Sequence, residues 1–458
     1  MSKVNTYAAE WLDGHASRLD NLSRQIWSTP EVALTEKRSA ALLAEELRTQ
    51  GFRVEEGVGG IPTAFTATWG EGSPTLGFLA EYDALPGLSN APEPRRAPIV
   101  EGGAGHGCGH NLIGTGSVAA AVAASVALRR EGRPGTIKVF GTPAEETLVG
   151  KVFMTRAGVF NGLDAALTWH PLHYTRVADE RCLALLSVRF AFHGRTCHIP
   201  SAPEAGRNAL DGVQLMTTAV NMRRKHMPAG TTVEYVVTEG GAFPNVTPAL
   251  ARVWYFVRSP NVADVEAVGA FLQAAAQGAA LATCTTVESR IVTSCYGYLP
   301  NTAIADLLYR NLETVGAPRF SAQERAFATE LVKTVVDESP PEATVLDGGL
   351  DRAGDEIGPY SQDDGDLSWL CPLNTFHIAA WPNGVPAHTW QAAASCGTSI
   401  GTKAMLTAAR TLAFTGLDLF TNPKALARAR QELAERTRGF TYRTLVPPEV
   451  NALDALKP

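Results

Sequence analysis

The sequence predicts an α/β fold, in which a mixed sheet covered by helices is interrupted by an inserted ferredoxin-like α+β domain. Strands alternate with helices over residues 1–183, and this alternation is typical of a helix-covered sheet. Between residues 183 and 298 the order becomes strand, helix, strand, strand, helix, strand, which is the order of a split βαβ unit. From residue 299 the first pattern returns, so we expect one large domain that is split by the insertion.

The N-terminal part is predicted to begin with two helices. Apolar residues recur at helical spacing from Ala8 to Leu22, and Pro30 then interrupts the pattern. Thr35 is placed to cap a second helix that ends before Gly51. The elements predicted next are strands at 65–69 and 75–81, an alanine-rich helix at 111–130, and strands at 136–140 and 165–169.

The inserted segment is long enough to be a small domain of its own. Its predicted elements are strand 185–193, helix 206–226, strands 232–238 and 251–259, helix 264–282 and strand 286–293. The predicted domains are therefore 1–183 together with 299–458, and 184–298. Beyond the insertion we predict a strand at 375–381, a helix at 390–414, and a long loop at 337–366 that is rich in proline, glycine and acids.

The composition is that of an ordinary globular protein. The chain has 458 residues, of which 45% are hydrophobic and 19% charged, and this excludes disordered and fibrous classes. A formal net charge of −6 argues against nucleic-acid and anionic-membrane partners, which require a basic patch. The longest run of small apolar residues, 117–128, is too short to span a bilayer, and we see no secretion signal. Seven cysteines, an odd number, fit the reduced thiols of a cytoplasmic protein better than a disulfide framework.

A glycine-rich motif, GHGCGH at residues 105–110, precedes the alanine-rich helix. The glycines allow a tight bend, so that the thiolate of Cys108 and the imidazole of His110 can face one point. This donor pair suits zinc or a similar divalent ion. Two alternatives stay open at this motif: a helix N-terminus that binds an anion, and Cys108 acting as a nucleophile beside a histidine base.

Further candidates stand where predicted strands end or helices begin. Glu145 and Glu146 follow the strand at 136–140, where one carboxylate can bind metal while the other acts as general base. The plain alternative is a pair of acids that complements a helix dipole. His170 ends one strand and His388 precedes the last long helix, and each alone is most simply a packed or capping-region histidine. Two more acids, Glu81 and Asp83, end the strand at 75–81, where the plain alternative is a solvated turn.

Together these motifs predict a metal centre in the larger domain. The five candidate ligands are Cys108, His110, Glu146, His170 and His388. Five donors exceed the needs of one tetrahedral ion and suit two ions that share a bridge and leave positions open for water. Such a site needs a base, and Glu145 is placed to be it.

With these motifs the chain resembles the dinuclear-metal amidohydrolases and peptidases of the aminoacylase and carboxypeptidase G superfamily. It is most similar to the branch whose metal motif is Cys-Gly-His rather than His-x-Asp. That branch includes hippurate hydrolases, indole-acetyl-amino-acid hydrolases, the B chains of aminobenzoyl-glutamate hydrolases and dipeptidase-like relatives. The stretches that carry the resemblance cover most of the chain in order: 106–117, 141–146, 168–171, 194–211, 240–248, 361–369 and 381–391.

The resemblance implies a role for each residue of the metal centre. It makes the five candidates named above the ligands of two divalent ions, zinc or manganese. It makes Glu145 the general base. It makes Asp83 an acid that does not bind the metal but orients one of the metal ligands. Glu81 stands where other branches have a metal-binding histidine, in keeping with the Cys-Gly-His motif.

The resemblance also makes the inserted domain a lid and dimerisation domain. It implies that His198 polarises the scissile carbonyl, often from the partner subunit, and that Asn245 and Arg258 hold the carboxylate of the substrate. Without it, His198 is most simply a surface histidine, Asn245 a turn residue and Arg258 a solvated side chain. Cys197 stands where many relatives have serine. In the segment 361–366 we expect Asp363 or Asp366 to shape the substrate pocket.

The implied function is metal-dependent hydrolysis of the amide bond of an N-acyl amino acid, an aryl-acyl glutamate or aspartate, by a hydroxide held between the ions. One alternative is a dipeptidase that acts on carboxylate-bearing dipeptides with a basic C-terminal residue. Two others are an amidase with Cys108 as nucleophile and a non-catalytic chain that binds a carboxylated ligand. We expect a homodimer and leave open a second, different subunit.

Overall fold

The computed structural model describes residues 2–335, 345–346 and 348–457. The chain divides into two compact units. The first, called the large unit here, comprises Met1–Glu180, Leu299–Glu356 and Leu367–Tyr442. The second, called the small unit, comprises Arg181–Tyr298, Ile357–Asp366 and Arg443–Pro458.

The chain up to residue 181 alternates helices and strands, besides short 3-10 turns. In order these elements are α1 (Lys3–Ser28), α2 (Lys37–Thr49), β1 (Arg53–Glu56), β2 (Phe65–Glu71), β3 (Thr75–Glu81), α3 (His110–Arg130), β4 (Gly135–Thr142), α4 (Gly150–Arg156), β5 (Ala165–Leu167), β6 (His170–Leu172) and β7 (Arg176–Arg181).

The middle of the chain has two α-helices and four strands, besides two 3-10 turns, and the described remainder adds three strands and seven α-helices. The middle elements are β8 (Ala184–His193), α5 (Ala209–Arg223), β9 (Thr232–Glu239), β10 (Leu250–Ser259), α6 (Val262–Ala282) and β11 (Thr286–Cys295). The later ones are α7 (Thr302–Val315), α8 (Ala322–Val332), β12 (Asp351–Ile357), α9 (Gly365–Ser368), β13 (Leu373–Asn374), β14 (Phe376–Ala379), α10 (Trp390–Cys396), α11 (Ser399–Thr421), α12 (Pro423–Arg436) and α13 (Ala452–Ala455).

A six-stranded mixed sheet forms the centre of the large unit. Its order is β1-β2-β4-β3-β5-β13, in which β3 runs parallel to β4 and β5 while β2 runs antiparallel to β1 and β4. The residues of β3 from Leu76 onward are buried, the pattern of a parallel strand covered on both faces. Helix α3 packs against β3, α1 and α11. The predicted helix-covered mixed sheet is therefore confirmed.

A second sheet of four strands has the order β12-β7-β14-β6. Strand β6 carries His170 and pairs in parallel with β14, where His377 is its register partner. The predicted strand at 165–169 thus differs from the structure, because Thr168 and Trp169 separate β5 from β6 and the two strands belong to different sheets.

The small unit contains the predicted ferredoxin-like arrangement. Its antiparallel sheet has the order β11-β8-β10-β9, and α5 and α6 pack on one face of it. Alternate residues of β10 are buried, from Ala251 to Val257, and they form a core with both helices. This alternation is expected of an antiparallel sheet that is covered on one side only.

Three other sequence predictions differ from the structure. The predicted helix at 390–414 is two helices, because Gly397 lies against the Trp27 indole and the side chain of Thr398 caps α11. The predicted loop at 337–366 contains strand β12, whose acidic residues suit an exposed edge of a sheet. Residues 337–344 and 347, which belong to the same predicted loop, lie outside the described residues. Thr35 does not cap α2, since the N-cap is Glu36.

In the part of the chain that the structure describes, two helices have the length and apolar composition of a membrane span, α3 and α6. Helix α3 is longer than the apolar run 117–128 suggested, with 21 residues, but 94% of its most apolar window is buried inside the fold. Such burial is typical of a core helix. For α6 the corresponding share is 33%, and length and composition alone are weak grounds for a span.

Candidate metal centre

Most candidate residues of the large unit stand at strand ends, at helix starts or on the adjoining loops at one edge of its central sheet, and His170 begins β6 of the second sheet. Glu81 is the last residue of β3 and pairs in register with Thr142, the last residue of β4. Asp83 lies two residues beyond the end of β3, and Glu145 lies three residues beyond the end of β4. Because parallel strands present their carboxyl ends at the same edge, their following residues come together. The helices α3 and α10 begin at this edge as well, just after Cys108 and His388 respectively.

The loop before α3 depends on Gly109. This residue is the N-cap of α3 and has a left-handed backbone, with φ 76°. A Cβ atom at this position would lie 2.6 Å from Cγ of Pro171, so only glycine fits without displacing its neighbour. The bend directs the Sγ atom of Cys108 to a point 3.3 Å from Nε2 of His170. Nδ1 of His170 donates to the Pro171 carbonyl at 2.8 Å, which leaves the lone pair on Nε2.

Asp83 orients His110 and connects it to the acidic pair. Its Oδ1 accepts a hydrogen bond from Nδ1 of His110 at 2.9 Å, and its Oδ2 accepts the backbone N–H of Glu146 at 2.9 Å. This bond orients the imidazole of His110. Burial acts to lower its pKa, but Asp83 and Cys108 outweigh burial and raise the pKa well above its usual value, so Nε2 presents a lone pair only when a cation displaces its proton. Nε2 lies 3.6 Å from a carboxylate oxygen of Glu81, 3.7 Å from one of Glu145 and 3.8 Å from one of Glu146.

One candidate ligand and one residue beside the acidic pair have strained backbones. Ala144 and His388 have φ values of 58° and 61°, in the left-handed region that non-glycine residues rarely adopt. Each such residue costs about 1–2 kcal/mol relative to a right-handed conformation. The N–H of His388 donates to the carbonyl of Gly107 at 2.9 Å, and Nε2 of His388 lies 3.4 Å from Oε2 of Glu146. Strain of this kind clusters at functional sites, where the surrounding structure holds it in place.

The side chains at this edge form three overlapping groups whose potential ligand atoms lie within 4.8 Å of one another. The groups are Cys108 with His110 and His170, Cys108 with Glu146 and His388, and Glu81 with His110 and Glu145. The structure therefore brings all five predicted ligands together, with the predicted base among them.

The donor set fits divalent cations. Among the described residues, Nε2 of His110 and Oε1 of Glu146 are buried without a hydrogen-bond partner. A buried polar atom without a partner is costly, and a bound cation would satisfy both atoms at once. Thiolate, imidazole and carboxylate are the ligand types of zinc, and the carboxylate of the set also suits manganese.

Burial and neighbouring charges together set the pKa values of the centre. Burial raises the pKa of the Cys108 thiol well above its usual value, and it raises the pKa of Glu146 to about 7. At Glu81 burial acts in the same direction, but the Lys151 ammonium and nearby imidazoles outweigh it and lower the pKa. A cation bound here would favour the deprotonated ligands, so metal binding and proton release are coupled.

Lys151 is a residue of the site that the sequence analysis missed. It is fully buried on α4, and its Nζ lies 2.7 Å from Oε1 of Glu81. A buried ion pair of this kind is expensive to form and fixes the direction of its carboxylate. In the sequence, Lys151 is a single lysine in the apolar stretch just after the acidic pair. That pattern could have indicated it, but the same pattern is common in surface helices.

Three predicted residues belong to the small unit, and each has partners there. Nδ1 of His198 lies 2.7 Å from the hydroxyl of Ser201. The carbonyl of Asn245 accepts the N–H of Ile199 at 3.2 Å. Arg258 donates to Glu234 at 2.8 Å. Their roles toward a substrate remain predictions.

Comparisons with known proteins find relatives that cover nearly the whole chain. A family model described as a peptidase dimerisation domain matches residues 184–284. The B chain of the p-aminobenzoyl-glutamate hydrolase of Escherichia coli (strain K12) is 37% identical over 475 residues, covering 98% of this chain and 99% of that protein. The Xaa-Arg dipeptidase of Mus musculus is 30% identical over 442 residues, covering 93% of this chain and 91% of that protein.

Solved structures share the fold. An aminobenzoyl-glutamate utilization protein from Klebsiella pneumoniae has a TM-score of 0.61 at 18% identity, over 89% of this chain and 97% of that one. A Bacillus subtilis protein described as a dinuclear metal-binding peptidase from the M20 family has a TM-score of 0.58 at 16% identity, over 89% and 99%. With the sequence relatives and the matched dimerisation domain, these likenesses lead to one conclusion: the chain belongs to the M20 family of metal-dependent amidohydrolases and peptidases, in the branch that carries Cys-Gly-His in its metal motif.

Proposed function

We propose that the chain hydrolyses the amide bond of an N-acyl amino acid, specifically an aryl-acyl glutamate or aspartate. The observation that carries the proposal is the position of Glu145 beside the buried donor set, with a carboxylate oxygen 3.7 Å from Nε2 of His110. The likeness over the full chain length to one chain of a p-aminobenzoyl-glutamate hydrolase supports the substrate class.

Five residues would hold two divalent ions, zinc or manganese. They are Cys108, His110, Glu146, His170 and His388. When bound, such ions polarise a carbonyl oxygen and lower the pKa of a water molecule. The protein contributes the geometry, because Asp83 orients the imidazole of His110 and the Pro171 carbonyl fixes the tautomer of His170.

Glu145 is proposed as the general base and then the general acid. It takes a proton from the attacking water as the new C–O bond forms, and delivers it to the nitrogen as the C–N bond breaks. Its side chain is 14% exposed, whereas that of Glu146 is 7% exposed. The more accessible carboxylate is thus better placed to meet water and substrate, and the less accessible one suits a ligand.

The residues of the small unit are proposed to recognise the substrate. We assign Arg258 and Asn245 to its free carboxylate and His198 to the scissile carbonyl. A guanidinium matches a carboxylate in a bidentate geometry, which supports the role of Arg258. Its pairing with Glu234 means that a substrate carboxylate would have to compete with that side chain.

A dipeptidase is the second candidate, since a relative of 30% identity is named an Xaa-Arg dipeptidase. Both candidates use the same metal centre and differ only in the groups beside the amide. A screen of p-aminobenzoyl-glutamate against dipeptides that end in arginine, each with zinc and with manganese, would distinguish them by the amine released.

We further propose a cytoplasmic homodimer. The match of a dimerisation domain supports the dimer, and the odd number of thinly spread cysteines supports the compartment. The Escherichia coli relative is named as one subunit of its hydrolase. A partnership of this chain with a second, different subunit is therefore a further proposal to be tested.

The adjacent pair of acids provides the test of the mechanism, because each residue is the control for the other. Glu145→Gln is expected to abolish turnover of p-aminobenzoyl-glutamate while the protein still binds its metal. Glu146→Gln is expected to lose both turnover and metal binding, since it removes a ligand. Steady-state rates and the metal content of the dialysed protein measure the two effects. Near-normal turnover by the Glu145→Gln variant would refute the assigned role.

A further inference from the structure

Glu36 is an acid far from the metal centre in sequence, fully buried at the start of α2. Its carboxylate has three partners inside the protein. Oε1 accepts the backbone N–H of Leu34 at 2.8 Å and that of Ala144 at 2.9 Å, and Oε2 accepts the hydroxyl of Thr63 at 3.0 Å. A single side chain thus joins three separate segments of the large unit.

Both N–H groups bound by Oε1 belong to strained residues. Leu34 and Ala144 have φ values of 65° and 58°, and neither is a glycine. A left-handed backbone without glycine persists only where the surroundings compensate for its cost. Oε1 stabilises both turns by accepting these N–H groups. Without it the buried N–H of Ala144 would have no acceptor, and the half-buried N–H of Leu34 would lose the acceptor that it has.

The turn at Ala144 sets the direction of the two acids that follow it. The carbonyl of Ala144 accepts the N–H of Val149 at 3.1 Å, and the carbonyl of Glu145 accepts that of Leu148 at 2.7 Å. These bonds close the segment that contains Glu145 and Glu146 on itself. The direction of the segment relative to the sheet therefore depends on how Ala144 is held.

We propose that Glu36 is a positioning residue for catalysis, which holds the left-handed turn at Ala144 and so aims Glu145 and Glu146 at the metal centre. The inference rests on the proposed roles of those two acids. It predicts that the acceptor oxygen matters and that the negative charge does not. A displacement of about 1 Å at catalytic groups can cost about 100-fold in rate.

The environment of Glu36 agrees with a role as a neutral acceptor. Burial, together with the negative charge of Asp83, raises the pKa of Glu36 to about 8. Oε1 accepts the two N–H groups in either protonation state. Glutamine at this position keeps an oxygen that accepts both bonds, and its amide N–H₂ can donate to the Thr63 hydroxyl.

The test compares three variants, each loaded with zinc and assayed on p-aminobenzoyl-glutamate. Glu36→Ala is expected to lower kcat by about 100-fold with little change in KM, and Glu36→Gln is expected to restore kcat close to that of the wild type. Glu31→Ala is the matched control. Glu31 caps the same helix by accepting the N–H groups of Arg38 and Ser39, but does not contact Ala144. It should lower the melting temperature and leave kcat nearly unchanged.

Binding of Co²⁺, followed by the thiolate-to-metal absorption band of Cys108, gives a readout without turnover. Glu36→Ala should weaken Co²⁺ binding, because Glu146 is misdirected, and Glu36→Gln should not. If Glu36→Ala does not fold, Glu36→Asp takes its place. The shorter side chain of aspartate moves the carboxylate oxygen away from the N–H groups of Leu34 and Ala144.

Two results would overturn the positioning role: wild-type kcat and Co²⁺ binding in Glu36→Ala, or a folded Glu36→Gln variant as inactive as Glu36→Ala. Glu145→Gln, assayed alongside, separates this inference from the proposed function. If that variant is active, the proposed function fails. If it is inactive while Glu36→Ala is active, only the role of Glu36 fails.

Discussion

At the scale of single residues, the environment of Cys108 distinguishes a metal ligand from a catalytic nucleophile. Its Sγ atom lies 3.3 Å from an imidazole nitrogen, a geometry that a metal ligand and a cysteine nucleophile share. Burial raises its thiol pKa, whereas an activated nucleophile needs a lowered pKa. The electrostatics therefore favour a ligand whose thiolate forms when a cation binds.

This assignment predicts a contrast between two buried cysteines of the large unit. Cys108→Ala should remove most of the bound metal and the activity with it, because one ligand is lost. Cys371→Ala should leave both unchanged, since Cys371 is buried away from the candidate ligand groups. Metal analysis and chelator sensitivity measure the outcome. Activity that survives exhaustive chelation but is lost on thiol alkylation would instead support the nucleophile.

The shifted pKa values predict how metal affinity depends on pH. In the metal-free site Cys108 and Glu146 have raised pKa values, the latter about 7, so both hold protons on the acidic side of neutrality. Metal binding must release those protons, and affinity therefore rises with pH, by about tenfold per pH unit for each proton released. Zinc titrations with a competing chelator on either side of neutrality measure this slope. A zinc affinity that does not change with pH would mean that Cys108 and Glu146 are not ligands.

Residue chemistry explains which parts of the site could be predicted. Cys108, His110 and the acidic pair were found because their types and spacing are those of metal ligands and a base. Lys151 and Glu36 were not found, because each acts through a distant partner, and no local pattern shows that a side chain will be buried beside a carboxylate or a strained turn. Their contribution depends on tertiary contacts alone.

At the scale of elements, the junction before α3 depends on one glycine. Gly109→Ala should disrupt metal binding, because its Cβ atom would lie 2.6 Å from Pro171, beside the ligand His170, in addition to the strain of φ 76°. Gly132→Ala, just beyond the other end of α3, is the control, since φ there is 57° but no atom lies within 4 Å. The control should cost about 1–2 kcal/mol of stability and keep full metal content.

Denaturation curves and metal analysis of the two variants separate strain from steric conflict. Equal metal content in both would contradict the claim that the close approach of Gly109 to Pro171 shapes the site. The contrast is informative because both glycines have left-handed backbones next to the same helix.

Most helices and strands followed from their periodicity, and the exceptions have physical causes. The break between α10 and α11 depends on the Trp27 indole against Gly397, a contact that a helical pattern does not contain. Strand β12 lacks the apolar residues that signal a strand, because it is the edge of its sheet and is largely exposed. Such elements are determined by neighbours rather than by their own sequence.

At the scale of the whole molecule, the insertion was visible because its order of elements differs from that of the surrounding chain. The ferredoxin-like order and the matched dimerisation domain agree. The boundaries at residues 183/184 and 298/299 remain a prediction, and so does the role of His198 toward a site on another protomer.

A mixing experiment tests that role. Glu145→Gln and His198→Ala are each expected to be inactive alone. If His198 serves the site of the partner protomer, co-expression of the two variants should restore part of the activity, since a mixed dimer contains one site with both residues intact. A mixture that stays inactive although mixed dimers form would show that His198 acts within its own chain, or not at all.

The central claim is that five side chains of the large unit hold divalent ions while Glu145 stays uncoordinated beside them. The most direct measurement is anomalous diffraction from crystals grown with zinc. We predict two anomalous peaks among these side chains, with Cys108 Sγ at about 2.3 Å and histidine nitrogens at about 2.0–2.1 Å from the metal, and Glu145 outside that distance. The absence of peaks there, or a peak bound by Glu145, would contradict the account.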